Sequence, residues 1–180
     1  DKCLTADIAR FGSDKAIIIV WYGLVIVDYV KIDISKTTEL QNVINALRAK
    51  HGIRAIDCIA DEDGVGGGVV DNCRITGFIN NGRAYDDAYN KIKDECGYKL
   101  AEMIDEIYFE VDVSDEDKDE IEEELAQLKT YQSDKDGKLR ILPKEKIKEN
   151  IRRSPDWMDN FIMRMSKYII PQSRGIRRRN

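Results

Sequence analysis

The sequence is poor in the residues that most hydrolases and secreted domains depend on. It has one histidine, four cysteines without a paired spacing, and no apolar run long enough to cross a bilayer. The most apolar stretch, Ala16 to Val27, is interrupted by Tyr22 and Gly23 and falls short of the roughly 18 to 20 residues that a membrane span needs. It is expected to form a hairpin, and membrane insertion is not expected. Cys3, Cys58, Cys73 and Cys96 are scattered singly, so neither a zinc site nor a disulfide framework is indicated, and reduced, buried thiols of a cytoplasmic protein are expected. His51 sits where an ordinary helix C-terminal residue belongs, which leaves general-base chemistry through imidazole with little support. Neither G-x-G-x-x-G nor G-x-x-x-x-G-K-[ST] is completed, so the glycines among Gly64 to Gly68 read as close backbone packing beside a strand end and not as a phosphate loop. The chain opens at Asp1 on a strand-like segment with no initiating methionine or signal peptide, as expected of a piece cut from a longer protein.

What remains is ample for one globular domain: 180 residues, 42% hydrophobic and 35% charged. The net charge of −5 is unevenly distributed. Residues 102–124 hold thirteen acidic side chains and a single basic one, Lys118; without them the chain has 28 basic and 21 acidic residues, a surplus of seven positive charges. A mildly basic body carrying a separate acidic segment is compatible with phosphate contacts.

Residues 3–10 and 15–22 are apolar and rich in β-branched side chains, and Phe11-Gly12-Ser13-Asp14 between them has hairpin-turn chemistry. Leu24 to Asp33 adds a third strand in meander order. Leu40, Val43, Ile44 and Leu47 recur at helical spacing behind a threonine cap, which predicts a helix over Thr37 to His51, stopped by Gly52. Ala55 to Ala60 is predicted to be a buried strand feeding a glycine-rich loop and a second helix. Further on, the pattern predicts a short fifth strand over Gly77 to Ile79, a helix over Asn90 to Ile104, and an acidic helix over Ser114 to Leu128 that reads as a solvated face. A hairpin is expected around Asp136-Gly137, and a last helix over Pro155 to Tyr168.

Three acidic clusters stand out. Asp7, in Leu4-Thr5-Ala6-Asp7-Ile8-Ala9, is flanked by apolar strand residues and would be costly to bury without a partner; a turn or capping aspartate is the plainer alternative. Asp61-Glu62-Asp63 lies at the C-terminal end of the expected parallel strand, where ligands of open α/β sheets bind. Laying that strand beside the first brings Asp7 next to Asp61, and two such carboxylates repel unless a cation separates them. Oxygen-only ligands point to Mg²⁺ or Mn²⁺. Asp156 and Asp159 lie three residues apart on the first turn of the last helix. Asp156 has a ready explanation in the helix dipole, whereas Asp159, among Trp157, Met158, Phe161 and Ile162, would be carried toward the interior.

These segments resemble, in order and spacing, those of the nuclease domain of tailed-phage or prophage terminase large subunits. The resemblance is carried by Thr5-Ala6-Asp7-Ile8-Ala9 with Gly12-Ser13-Asp14, by Asp61-Glu62-Asp63-Gly64-Val65-Gly66-Gly67-Gly68-Val69-Val70-Asp71, and by Cys96-Gly97-Tyr98-Lys99-Leu100-Ala101, Asp136-Gly137-Lys138-Leu139 and Arg153-Ser154-Pro155-Asp156-Trp157-Met158-Asp159. It covers essentially residues 3–168. Where the family usually shows Asp-Ala-Leu after a Trp-Ala pair, this chain has Met158-Asp159-Asn160-Phe161, which leaves the carboxylate in place.

The resemblance implies an α/β fold with a ribonuclease H-like mixed five-stranded sheet, three antiparallel strands plus parallel strands, flanked by helices. It implies a nuclease domain over 1–170, and the basic tail over 171–180, with Arg174 and Arg177 to Arg179, is expected to be disordered. It also implies two-metal hydrolysis of DNA by Asp7, Asp61 and Asp159, with Asp156 as a further ligand of the two Mg²⁺ or Mn²⁺ ions and Asp14 and Asp63 as outer candidates. The expected partners are double-stranded DNA and, in the full-length protein, an N-terminal ATPase domain, the portal and the small terminase subunit, all in the host bacterial cytoplasm. Two other readings remain open: a junction resolvase or transposase-like nuclease of the same fold, and a non-cleaving DNA clamp or assembly module. A nucleotide- or sugar-binding protein of the related actin-like fold would need a phosphate loop that the first hairpin does not supply.

Overall fold

The longest apolar run in the sequence becomes the middle of a sheet. In this computed structural model, which describes residues 1–8, 15–33, 37–62, 66–131 and 136–169, β2 (Lys15–Tyr22) pairs antiparallel with β1 (Lys2–Asp7) on one side and β3 (Val25–Asp33) on the other. Every residue of β2 from Ala16 to Trp21 is buried, as a strand covered on both faces requires. The predicted crossover places β4 (Cys58–Asp61) parallel to β1, and β5 (Thr76–Phe78) parallel to β4. The mixed sheet is therefore present, and it holds six strands where five were expected, in the order β5-β4-β1-β2-β3-β6. The additional strand, β6 (Tyr108–Phe109), lies parallel to β3 and is only two residues long, too short to leave a periodic signal.

The helices are α1 (Thr37–His51), α2 (Gly66–Cys73), α3 (Ile92–Met103), α4 (Asp115–Leu125), α5 (Lys144–Ile151) and α6 (Asp156–Met165). Helix α1 ends as expected at Gly52: its left-handed φ of +63° lets the Ile53 amide reach back to the Arg48 carbonyl at 3.0 Å. The strand expected from Ala55 begins three residues later, after a 3-10 turn over Ala55–Asp57 in which Ile56 is exposed. A small hairpin, β7 (Thr130–Tyr131) with β8 (Arg140–Ile141), forms around Asp136-Gly137. Helix α5 was not expected. Only Ile147 of its eight residues is buried, so it has no apolar stripe to announce it.

Alternation along the strands divides the interior into two cores. Leu4, Ala6, Ile18, Val20, Cys58 and Ala60 pack with Leu40, Ile44 and Leu47 of α1 and with Val69, Val70 and Cys73 of α2. Cys3, Ile17, Ile19, Trp21 and Ile59 face the other way, toward α3, α4, α5 and α6. Trp21 meets Phe161 of α6 edge-on, with ring centroids 5.4 Å apart. Helix α3 comes close to β8 at Gly97, where a Cβ would lie 2.8 Å from Ile141. The four cysteines are free and buried, as expected.

The acidic helix α4 departs from the expected solvated face. Ser114 caps it as predicted, accepting the Asp117 amide at 3.1 Å. Asp117 and Glu124, however, are buried: Asp117 accepts from Tyr29 and Lys31 of β3, and Glu124 from Arg153 and the Met158 amide. Acidic composition misled here because eight of the eleven residues of α4 are acidic and composition does not say which of them face inward.

Candidate functional site

The alternation that points Ile59 and Cys3 toward α6 points Asp7 and Asp61 the same way. Asp7 ends β1 and Asp61 ends β4, each one residue beyond the paired Ala6 and Ala60, on adjacent parallel strands that run about 4.8 Å apart. Helix α6 crosses this end of the sheet and brings Asp156 and Asp159 in its first turn. Asn160 locks it there, donating to the Ile17 carbonyl at 3.0 Å and to the Asp156 carbonyl at 2.9 Å. Three segments remote in sequence thus deliver four carboxylates to one place. Asp14 and Asp63 lie outside the described residues, as do residues 171–180.

Burial pushes the carboxyl of Asp7 well above the usual carboxylate range, and Asp159, Asp156 and Asp61 reinforce that shift while Lys144 opposes it. Asp7 is 4% exposed. Asp156 is also raised, chiefly by burial, and its carboxyl shares a hydrogen bond with that of Asp7. Two carboxyls held this close in a buried place repel each other when both are charged. Asp159 behaves in the opposite way. Burial raises it, but the ammonium groups of Lys93 at 2.7 Å and Lys144 at 2.6 Å, one on each carboxylate oxygen, bring it down to about 2. Lys144 is in turn held above the ordinary lysine range: burial lowers it, and Asp159, Asp7 and Asp156 more than compensate. Asp61 accepts a hydrogen bond from Asn80 at 3.1 Å.

A cleft of about 700 Å³ opens over this group. Asp7, Asp61 and Asp156 line it, together with Asp94 and Glu145, and Asn80, Asn81 and Asn90 contribute neutral polar groups. Lys91, Lys93, Arg140, Lys144 and Lys148 supply five cationic side chains from α3, β8, α5 and the segment ahead of α3. Asp159 does not line the cleft; it lies behind Lys93 and Lys144.

Chains of this shape have been solved. The structure superimposes on the nuclease domain of the large terminase subunit gp2 of bacterial virus Sf6 with a TM-score of 0.74, at 17% identity over 91% of this chain and 87% of that one. The fold is that of phage large-terminase nuclease domains. A K428A mutant of the Sf6 domain with manganese agrees equally well, at TM-score 0.74 and 16% identity over the same shares of the two chains. The large terminase nuclease from thermophilic phage G20c with bound magnesium agrees at TM-score 0.64 and 16% identity, over 92% of this chain and 80% of that one. No family model and no curated protein matches the sequence.

On this terminase-nuclease fold the chemistry of the donor set suits a hard divalent cation: Asp7, Asp61 and Asp156 offer oxygen alone, and they crowd negative charge into a buried place. In the present arrangement, among the described residues, no three acidic, histidine or cysteine side chains stand within ligating reach of a single ion. Lys144 occupies the position of a counter-charge to Asp7, Asp156 and Asp159. An ion here would have to favour the charged form of Asp7 that burial disfavours, and it would compete with Lys144 for these carboxylates. Lys93 and Lys144 had no sequence signal of their own, since 29 lysines and arginines are spread along the chain. No helix among the described residues is long and apolar enough to cross a membrane.

Proposed function

We propose that this chain is a metal-dependent DNA endonuclease of a phage genome-packaging motor, cutting concatemeric double-stranded DNA. One observation carries it: Asp7, Asp61 and Asp156 meet at the end of the sheet, with Asp159 just behind, in a cleft whose lining also holds Lys91, Lys93, Arg140, Lys144 and Lys148. The terminase-nuclease fold and the manganese and magnesium in solved proteins of that fold support it. Asp7, Asp61 and Asp159 are assigned as the catalytic carboxylates, with Asp156 as a further metal ligand; Asp159 would serve only once its pairs with Lys93 and Lys144 open. These carboxylates would hold Mg²⁺ or Mn²⁺, two ions in this reading, which would supply an activated water and positive charge for the leaving oxygen. Lys91 and Lys148, which also line the cleft, would offset the phosphate charge of a bound DNA backbone. In the full-length protein, an ATPase domain, the portal and the small terminase subunit are the partners, in the host bacterial cytoplasm.

Supercoiled plasmid incubated with the protein in Mn²⁺ or Mg²⁺ is expected to be nicked and then linearised, and EDTA or Asp61→Asn is expected to stop both. Intact plasmid under every condition, from folded protein, would falsify the endonuclease reading. The pairing of both Asp159 oxygens with lysines favours a second reading, a clamp that binds DNA without cutting until its partners join it. That reading predicts a retarded but uncut duplex in the same experiment. Preferential cutting of a four-way junction in competition with linear duplex would instead indicate a resolvase.

A further inference from the structure

We propose that Glu124, on the acidic helix α4, is a positioning residue for the carboxylates of α6. The inference rests on the metal-site reading above. Helix α6 begins at a proline, and Pro155 has no side chain that can cap the amides of the first turn. The missing acceptor comes from another helix: the Glu124 carboxylate accepts the amide of Met158 at 2.9 Å. Met158 lies between Asp156 and Asp159, so this bond fixes the backbone segment from which both acids project.

The rest of the contact ties down the same turn. The second carboxylate oxygen of Glu124 accepts from Arg153, just ahead of the helix, and Arg153 also donates to the Glu120 carbonyl at 3.0 Å and to Glu123 at 2.8 Å. Glu120 accepts the indole N–H of Trp157 at 3.1 Å while pairing with Lys31 of β3. Residues 153, 157 and 158 are thereby held from α4, on the side away from the cleft. Glu124 is 1% exposed, unlike its neighbours Glu122 and Glu123, which face solvent. Burying a carboxylate is costly unless its oxygens are filled by donors, and here both are. Supports of this kind behind metal-binding carboxylates typically change metal affinity by 10- to 100-fold when removed.

The test is calorimetric titration of the 180-residue protein with Mn²⁺ alone, well below its melting temperature, for wild type, Glu124→Ala, Glu124→Gln and the exposed control Glu116→Ala. Glu124→Ala is expected to weaken Mn²⁺ binding about tenfold or more. Glu124→Gln keeps one of the two acceptor oxygens and is expected to lose less, roughly threefold. Glu116→Ala is expected to match wild type. A purely structural role for Glu124 would lower the melting temperature and leave the affinity of the folded protein unchanged, and that result overturns the proposal. If Glu124→Ala does not fold, Glu124→Gln decides alone: weakened binding supports the positioning role and unchanged binding overturns it. Wild type that binds no Mn²⁺ sinks the metal-site reading itself and this inference with it, whereas wild type that binds Mn²⁺ with equal strength to folded Glu124 variants sinks only the inference.

Discussion

The two faces of the sheet are made from alternate residues of the same strands, yet they are filled in opposite ways. Among the described residues, those buried toward α1 and α2 are apolar. Toward α3, α4 and α6, the protein buries Asp7, Asp94, Glu95, Asp117, Glu124, Asp159 and Arg164 alongside its apolar core. Some of these charges are structural: Asp94 accepts the Ile141 amide at 3.0 Å, joining α3 to β8, and Glu95 accepts the Tyr85 amide at 2.6 Å. Asp7 is different, because burial and three neighbouring carboxylates disfavour its charged form. The first face supplies stability, and the second spends part of it on holding charges in fixed places.

Substitutions on either face test this contrast. On the apolar face, Ile44→Ala leaves a cavity under α1 and is expected to cost about 3 kcal/mol of stability by denaturant unfolding while leaving Mn²⁺ affinity unchanged. A concurrent loss of metal binding would show that the faces are not independent. On the charged face, Arg164 is fully buried and donates twice to the Gly23 carbonyl, at 2.8 and 3.1 Å, in the β2–β3 turn. Arg164→Met is expected to cost about 2 kcal/mol in the same assay, chiefly by leaving that carbonyl without a donor.

Asp7→Asn should produce a smaller change with the reverse sign. A carboxyl whose folded pKa is raised contributes stability that is present below its unfolded value, near 3.9, and lost as the pH rises through the folded value. Without metal, Asp7→Asn should therefore melt at a higher temperature than wild type at pH 7 and at nearly the same temperature at pH 4. With Mn²⁺ added, only wild type should gain stability. Asp159 follows the other rule: its lowered pKa, about 2, gives stability that is present above about pH 4 and lost as the pH falls toward 2. Identical pH profiles for wild type and Asp7→Asn would remove the buried-charge account of Asp7. The smallest effect belongs to the surface. Arg83 and Asp87 form an exposed pair, and Arg83→Ala is expected to change neither melting temperature nor Mn²⁺ affinity.

The sequence was most legible where local pattern and tertiary environment agree. The unbroken apolar run of β2 suits a strand covered on both sides, and the helical repeat of Leu40, Ile44 and Leu47 forms α1 as expected, packed on α2 and the sheet. Asp7 and Asp61 were placed side by side because a crossover helix allows one simple arrangement of β1 and β4. Asp156 has more to do than complement a helix dipole, since its carboxyl also bonds to Asp7 across the site. The sequence was silent where a residue owes its role to packing alone. Lys93 and Lys144 resemble any other lysines until α3 and α5 bring them to Asp159. Glu124 stands in a row of glutamates, and only the docking of α6 sets it apart.

The bond from Asn160 to the Ile17 carbonyl joins residues 143 positions apart, and the bond from Arg164 to Gly23 spans 141. Contacts of such separation form late and slowly, because the intervening chain must be closed into a loop before they return any stability. During synthesis the aspartates of β1 and β4 are made long before the helix that completes their group, so the polypeptide carries only half of its acidic cluster until α6 has emerged and docked.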